Sequence, residues 1–179
     1  MPEIKIRPAV EEDIPVLVAF EHSYKSNYCW QMEMANQDQD IAVNFREIRL
    51  PRQVTTEYPR SPEALLQDWM KRTVLLVGDI GGTAVAYISV MEGISPASAW
   101  VTDLVVSLPY RRKGIGTALL LAAQDWAKMR HNRRMVLEIQ SKNMPAIHLA
   151  IKLGYEFCGY NDLFYANQDM ALFFAHFLR

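Results

Sequence analysis

Residues 109-PYRRKGIGTALL-120 set three basic side chains, Arg111, Arg112 and Lys113, directly before a Gly-x-Gly step. The stretch then runs without a break into an apolar repeat. Ile115, Leu119, Ala122 and Trp126 recur at intervals of 4, 3 and 4, one face of a helix with 3.6 residues per turn. A helix from Gly114 to about Arg130 follows. The first turn of a helix leaves N–H groups unpaired, and they carry about half a positive charge. Glycines let a ligand come close because no Cβ intervenes. The combination favours a phosphate or pyrophosphate. A Walker A string is absent, and a dinucleotide fingerprint needs glycine where this chain has Leu119. The alternative is that both glycines serve tight helix–sheet packing and the three charges sit in solvent.

Working outward, 98-SAWVTDLVVS-107 reads as the strand that feeds this turn. Before it, 73-TVLLVGD-79 and 83-TAVAYISVM-91 read as a hairpin around Gly81-Gly82. After the helix come a strand at 135–140, a helix from Met144 to Leu153 with Asn143 as cap and Gly154 beyond its end, and strands at 155–160 and 169–178. The tail 170-MALFFAHFL-178 is apolar on both faces, as expected inside a sheet or a homodimer contact. Toward the N-terminus, residues 3–8 alternate as a short strand ended by Pro8, and Glu11 to about Ser26 has the spacing of an amphipathic helix. Residues 27-NYCWQMEMANQDQD-40 read as helix end and loop, and 42-AVNFREIRL-50 as a strand. Ser61 can cap a helix over Pro62–Lys71. This order of elements predicts an α/β architecture, a mixed sheet with helices on its faces.

The composition is that of one globular domain over residues 1–179, with 50% hydrophobic and 22% charged residues. A net charge of −1 leaves no basic footprint for nucleic acid or an anionic membrane, so an anion site must be local. Apolar runs such as 118-ALLLAA-123 are too short for a membrane span, and the N-terminus lacks a signal-like apolar region. Cys29 and Cys158 have no metal or redox spacing and read as small buried apolar residues. The expected setting is cytoplasmic, without a metal.

In context the turn resembles the GNAT superfamily of acetyl-CoA-dependent N-acetyltransferases. The family signature Gln/Arg-x-x-Gly-x-Gly/Ala is matched by Arg111-Arg112-Lys113-Gly114-Ile115-Gly116, and Asp103–Val106 resembles the strand before it. Downstream, 143-NMPAIHLAIKLGYE-156 is similar to the family's second segment, through Asn143, Ala146, Ile147, Lys152, Leu153 and Gly154, with Tyr155 for the usual Phe. The resemblance implies a GNAT fold, a mixed, mostly antiparallel central sheet of about seven strands splayed after the fourth, with helices on both faces. It implies that Leu104, Val105 and Val106 pair with pantetheine and that the turn, Arg111 through Thr117 with Lys113, Gly114, Ile115 and Gly116, holds the pyrophosphate. Asn143 would meet the pantetheine arm; the alternative is that it is a helix cap only.

Acetyl transfer to an amine needs the amine neutral, and a lysine-like amine titrates near pH ~10.4. A carboxylate base is the usual solution. The resemblance points to Glu138, five residues before Asn143, with Asp103 second; either can instead be a structural acceptor. Many family members place a Tyr seven residues after the Asn as acid on the cofactor sulfur. Here that position is Ala150. A thiol of pKa about 8.5 still leaves at neutral pH at a deficit of roughly 2 kcal/mol, and Tyr155, Tyr160 or Tyr165 can reach in from the last strands. A backbone N–H of Val105 or Val106 can polarise the thioester carbonyl. Ala150 keeps a second class open, an acyl-CoA-binding sensor or interaction module without turnover.

The segment 159-GYNDLFYANQDMALFF-174 is similar to streptothricin-acetyltransferase-like GNAT proteins, which implies a small cationic amine or a peptide amine as acceptor. Asp162 and Tyr165, with Asp169, then line a cation site; as loop residues they also fit plain turn roles. Residues 28–60 form the family-variable insertion on the acceptor side and line either the pocket or a dimer contact.

Overall fold

The computed structural model describes residues 3–179. Its main sheet has seven strands: β1 (Lys5–Pro8), β4 (Val74–Ile80), β5 (Thr83–Met91), β6 (Ser98–Val106), β7 (Arg134–Gln140), β8 (Glu156–Asn161) and β9 (Ala171–Phe177). The spatial order is β1-β4-β5-β6-β7-β9-β8. Every neighbouring pair is antiparallel except β6 and β7, which run parallel. The Gly81-Gly82 turn takes φ of 63° and 87°, a conformation glycine enters without a Cβ penalty. The apolar tail is β9. It is flanked by β7 and β8, which accounts for its lack of a polar face.

Strand alternation divides the core in two. On one face Leu75, Val77, Tyr87 and Val105 pack under the short helices α1 (Ile14–Val18) and α2 (Ala64–Asp68), through Ile14, Leu17 and Leu65. On the other face Leu76, Ile88, Val101, Met135 and Leu137 meet Ile115, Leu119, Leu120 and Ala123 of α3 (Ile115–Met129) and Ile147 of α4 (Met144–Lys152). Full burial of one such side chain stabilises by ~1.5–3 kcal/mol. Among the described residues no helix is long and apolar enough to cross a membrane.

Three expectations need correction. The N-terminal helix is far shorter than Glu11–Ser26. A single 3-10 turn over Glu11–Asp13 leads into α1, which ends at Val18. Beyond it the backbone is drawn into a loop by side chains. His22 Nδ1 lies 2.7 Å from the Phe20 carbonyl, and Arg111 donates to the Ser23 carbonyl at 2.7 Å and to that of Glu21.

The second correction concerns residues 27–40. As far as Gln37 they belong to β2 (Tyr24–Gln37), which pairs with β3 (Asp40–Thr56) in a separate two-stranded ribbon. Its Met, Gln and Glu residues favour helix, but cross-strand pairing overrides that preference. Trp30 faces Glu47 and Met32 faces Phe45 in register. Asp38 turns the ribbon with φ 50°. Trp30 and Phe45 pack against Phe157, Phe174 and Tyr160, and Trp30 N–H donates to the Ser141 carbonyl at 3.0 Å. The cysteines also differ from expectation. Cys158 is exposed and Cys29 half-buried, both with free thiols, because each lies at the margin of its sheet.

Candidate active site

The site begins where the sheet stops being a sheet. β6 and β7 pair only from Ser98–Arg134 to Val101–Leu137. Beyond that register they part, while β6 continues to pair with β5 as far as Val106. Ser107 N–H donates to the Val85 carbonyl at 2.9 Å, and Tyr87 stands opposite Val105. The two-residue alternation of an antiparallel ladder turns Val105's polar groups into the sheet. Those of Leu104 and Val106 face the gap. The three-residue edge expected from sequence is therefore a two-residue edge, and the Val106 carbonyl already accepts Arg111 Nε at 2.9 Å.

The basic turn lies at the same end. Arg112 and Gly114 have φ of 64° and 83°, so the chain folds through two left-handed residues before α3. Such turns gather successive N–H groups into a concave, anion-attracting surface. Gly114 is the N-cap and no side chain caps the helix. The first helical bond is Ala118 N–H to the Gly114 carbonyl, at 3.0 Å, which leaves Ile115, Gly116 and Thr117 N–H without helical acceptors. A Cβ at Gly114 would meet nothing within 4 Å. The basic side chains point elsewhere. The guanidinium of Arg111 is spent on three backbone carbonyls, and burial lowers its pKa. Lys113 Nζ stands 5.4 Å from the Tyr110 ring centroid. Arg112 is exposed.

Asn143 begins α4 differently: its Oδ1 accepts Ala146 N–H at 3.2 Å. It is thus a cap and also lines the cleft, together with Leu104, Leu149 and Ala146.

Across the gap, Asp103 and Glu138 supply carboxylates with side chains only 4% and 5% exposed. Asp103 accepts the Tyr58 hydroxyl at 2.7 Å and the Thr102 hydroxyl at 2.9 Å. Arg60 bridges the two strands. It donates to the Thr102 carbonyl at 2.8 Å and to Glu138, and its Nη1 lies 3.6 Å from Asp103. Arg72 stands 3.7 Å from Asp103. The Tyr165 ring centroid is 5.4 Å from the Arg60 guanidinium carbon, within cation–π range. Burial raises the Glu138 pKa above 4.5, and Arg60 and Tyr165 offset only part of the rise. Burial also raises the pKa of Tyr58 and Tyr165, each helped by a neighbouring carboxylate, so both hydroxyls stay protonated at neutral pH.

The family model described as Acetyltransferase (GNAT) family matches residues 42–155. The chain belongs to the GNAT acetyltransferase family. A GNAT relative, the streptothricin acetyltransferase of Streptomyces lavendulae, is 34% identical over 55% of this chain and 52% of its own. Streptothricin acetyltransferase A of Bacillus subtilis (strain 168) is 35% identical over 44% of this chain and 47% of its own. The chain thus spans about half the length of the curated relatives it matches. Among solved structures, nourseothricin acetyltransferase superposes with a TM-score of 0.82 at 21% identity, covering 98% of this chain and 99% of that one. A Bacillus anthracis structure in complex with acetyl coenzyme A gives 0.75 at 17% identity, over 98% and 99%. At these identities the likeness establishes the GNAT fold.

Of the residues expected at the site, Asp103, Leu104, Glu138, Asn143 and Tyr165 line one cleft. Asp162 does not. It is exposed on the loop after β8, its carboxylate accepting Leu163 N–H at 3.0 Å, a plain turn role. Asp169 instead accepts Gln140 at 2.7 Å and Lys142 at 2.5 Å. Ala150 is wholly buried. Tyr155 is buried on Gln124 at 2.8 Å and Tyr160 packs on Phe45, so Tyr165 is the one of the three in the cleft. The segment 28–60, expected to line either the pocket or a dimer contact, brings Tyr58 and Arg60 to the cleft; the proline-punctuated string 57-EYPRSP-62 marks neither residue for a specific role.

Proposed function

We propose that this protein transfers an acetyl group from acetyl-CoA to a primary amine of a small molecule or peptide, by direct attack within a ternary complex. One observation carries the reading: the gap between β6 and β7 opens between an uncapped helix start and a buried, raised-pKa carboxylate. The residues fit the cofactor. N–H groups from Arg112 to Thr117 would hold the pyrophosphate, where open space at Gly114 permits close approach. Leu104 and Val106 would pair with the pantetheine arm, and Asn143 would face it. When bound, acetyl-CoA supplies a thioester whose carbonyl carbon bonds to the amine nitrogen as the sulfur leaves.

Glu138 takes the ammonium proton. Its raised pKa narrows the gap to an amine that titrates near ~10.4. Asp103, held by Tyr58, Thr102 and two guanidiniums, anchors the wall on which Glu138 and the acceptor are set. The likeness to streptothricin acetyltransferases supports a small-molecule amine as acceptor.

Thiol release from acetyl-CoA, measured against a panel of primary amines, tests the reading. Turnover that depends on both partners is expected. Tight acetyl-CoA binding without turnover on any amine would replace the enzyme with the acyl-CoA sensor that Ala150 leaves open.

A further inference from the structure

The acceptor wall already holds a cation, and that cation belongs to the chain. Two strand carboxylates and an aromatic ring converge on one guanidinium, that of Arg60. These are the groups from which a receptor for an organic cation is built. The carboxylates of the receptor stand on paired strands and its occupant does not. Asp103 and Glu138 stand on β6 and β7, whereas Arg60 lies on the irregular connection between β3 and α2, with its side chain 28% exposed. While Arg60 stays, its guanidinium donates to Glu138 and neutralises the charge that would draw an incoming ammonium.

We infer that Arg60 is a resident competitor for the acceptor. The acceptor's ammonium enters the space between Glu138 and Asp103, and Arg60 withdraws toward solvent. This inference rests on the acetyltransferase reading for its setting and adds two things to it. Arg60 becomes a specificity-determining residue. The acceptor becomes an amine that is cationic overall, because a carboxylate on the acceptor would face Glu138 and Asp103 once Arg60 has left. Arg72 remains beside Asp103 and keeps that carboxylate paired during the exchange.

The competition lowers apparent affinity by the fraction of molecules in which Arg60 is released. A minor state populated at roughly 10% weakens binding about tenfold. The test is equilibrium binding, by calorimetry without acetyl-CoA, of two probes of matched length, 1,4-diaminobutane and 4-aminobutanoate. Arg60→Met is expected to bind 1,4-diaminobutane about tenfold more tightly than the wild type and 4-aminobutanoate no more tightly. Arg60→Lys keeps a resident cation and is expected to stay within about threefold of the wild type. Unchanged or weaker diaminobutane binding by Arg60→Met overturns the inference. So does selective loss of 4-aminobutanoate, which would make Arg60 a receptor for acceptor carboxylates. Should the Met variant fail to fold, wild-type protein decides: saturating 1,4-diaminobutane must quicken hydrogen exchange at the Arg60 Nη–H groups, which donate to Thr102 and Glu138, by about tenfold. An unaltered exchange rate there overturns the proposal equally. Neither measurement involves turnover. A protein that acetylates nothing, or binds no acetyl-CoA, would end the acetyltransferase reading and leave this result standing on its own.

Discussion

The two walls of the cleft are built by opposite means. The phosphate-side turn uses consecutive residues, Arg111 to Thr117, and presents backbone N–H groups; its own basic side chains are turned away or occupied. The acceptor wall uses side chains from four distant places: Tyr58 and Arg60 before α2, Asp103 on β6, Glu138 on β7 and Tyr165 in the loop between β8 and β9. Backbone chemistry survives substitution of most side chains and depends on where glycine stands. Side-chain chemistry depends on each named group.

The largest expected effect lies on the acceptor wall. Glu138→Gln keeps the shape but removes the proposed base, and kcat should fall by about 10²–10⁴. In the wild type the acid limb of the pH–rate profile should lie above pH 4.5, because burial raises the Glu138 pKa. A Gln variant that keeps the rate and the limb would strip Glu138 of its role.

On the turn, Gly116→Ala is the sharper probe. The added methyl meets Leu149 Cδ2 at 3.5 Å and Val106 Cγ2 at 3.9 Å, ordinary contacts, so the melting temperature should hold. It also crowds the N–H groups, and KM for acetyl-CoA should rise about tenfold, roughly 1.4 kcal/mol. Lys113→Ala should raise the same KM by less than about threefold, because its charge acts only at a screened distance. If the lysine change proved the more damaging, the turn would be a side-chain site and the contrast between the walls would collapse.

The smallest effect concerns His22, which lies behind the acceptor wall with Nε2 3.1 Å from the Tyr87 hydroxyl. Burial lowers its pKa below 6.5. As pH falls through 6.5, the unfolded chain takes up the proton before the folded one does, so stability present above that pH is lost below it. The slope of unfolding free energy against pH just below 6.5 should flatten in His22→Gln. An unchanged slope would show that His22 does not sense the burial.

The same contrast governs what could be read in advance. The helix start at Gly114, the hairpin at Gly81-Gly82, the Asn143 cap and the strand order after residue 73 rest on short-range patterns, and the structure reproduces them. Glu138 could be located because a recognisable segment follows it. Tyr58 and Arg60 could be placed only within a segment lining a pocket or a dimer contact, since their partners Asp103 and Glu138 lie 45 and 78 residues along the chain. The strand at 42–50 is legible within β3, but β2 is not, for a related reason. Its Met and Gln residues carry helical preference, and only the partner strand, met later in the chain, reverses it. Ser61 likewise proved no cap: its hydroxyl is engaged by Glu63 and α2 starts at Ala64.

The ribbon has a kinetic consequence as well. β1 must find β4 across the whole stretch from Pro8 to Val74. Because Tyr24 pairs with Thr56, a hairpin that zips from its own tip removes the middle of that stretch and roughly halves the loop left to close. Halving a loop lowers its closure cost by about 0.6 kcal/mol, close to a threefold gain in the rate of that encounter. The long appendage that looks like an addition to the fold thus serves, during folding, to bring the N-terminal strand within reach of its neighbour.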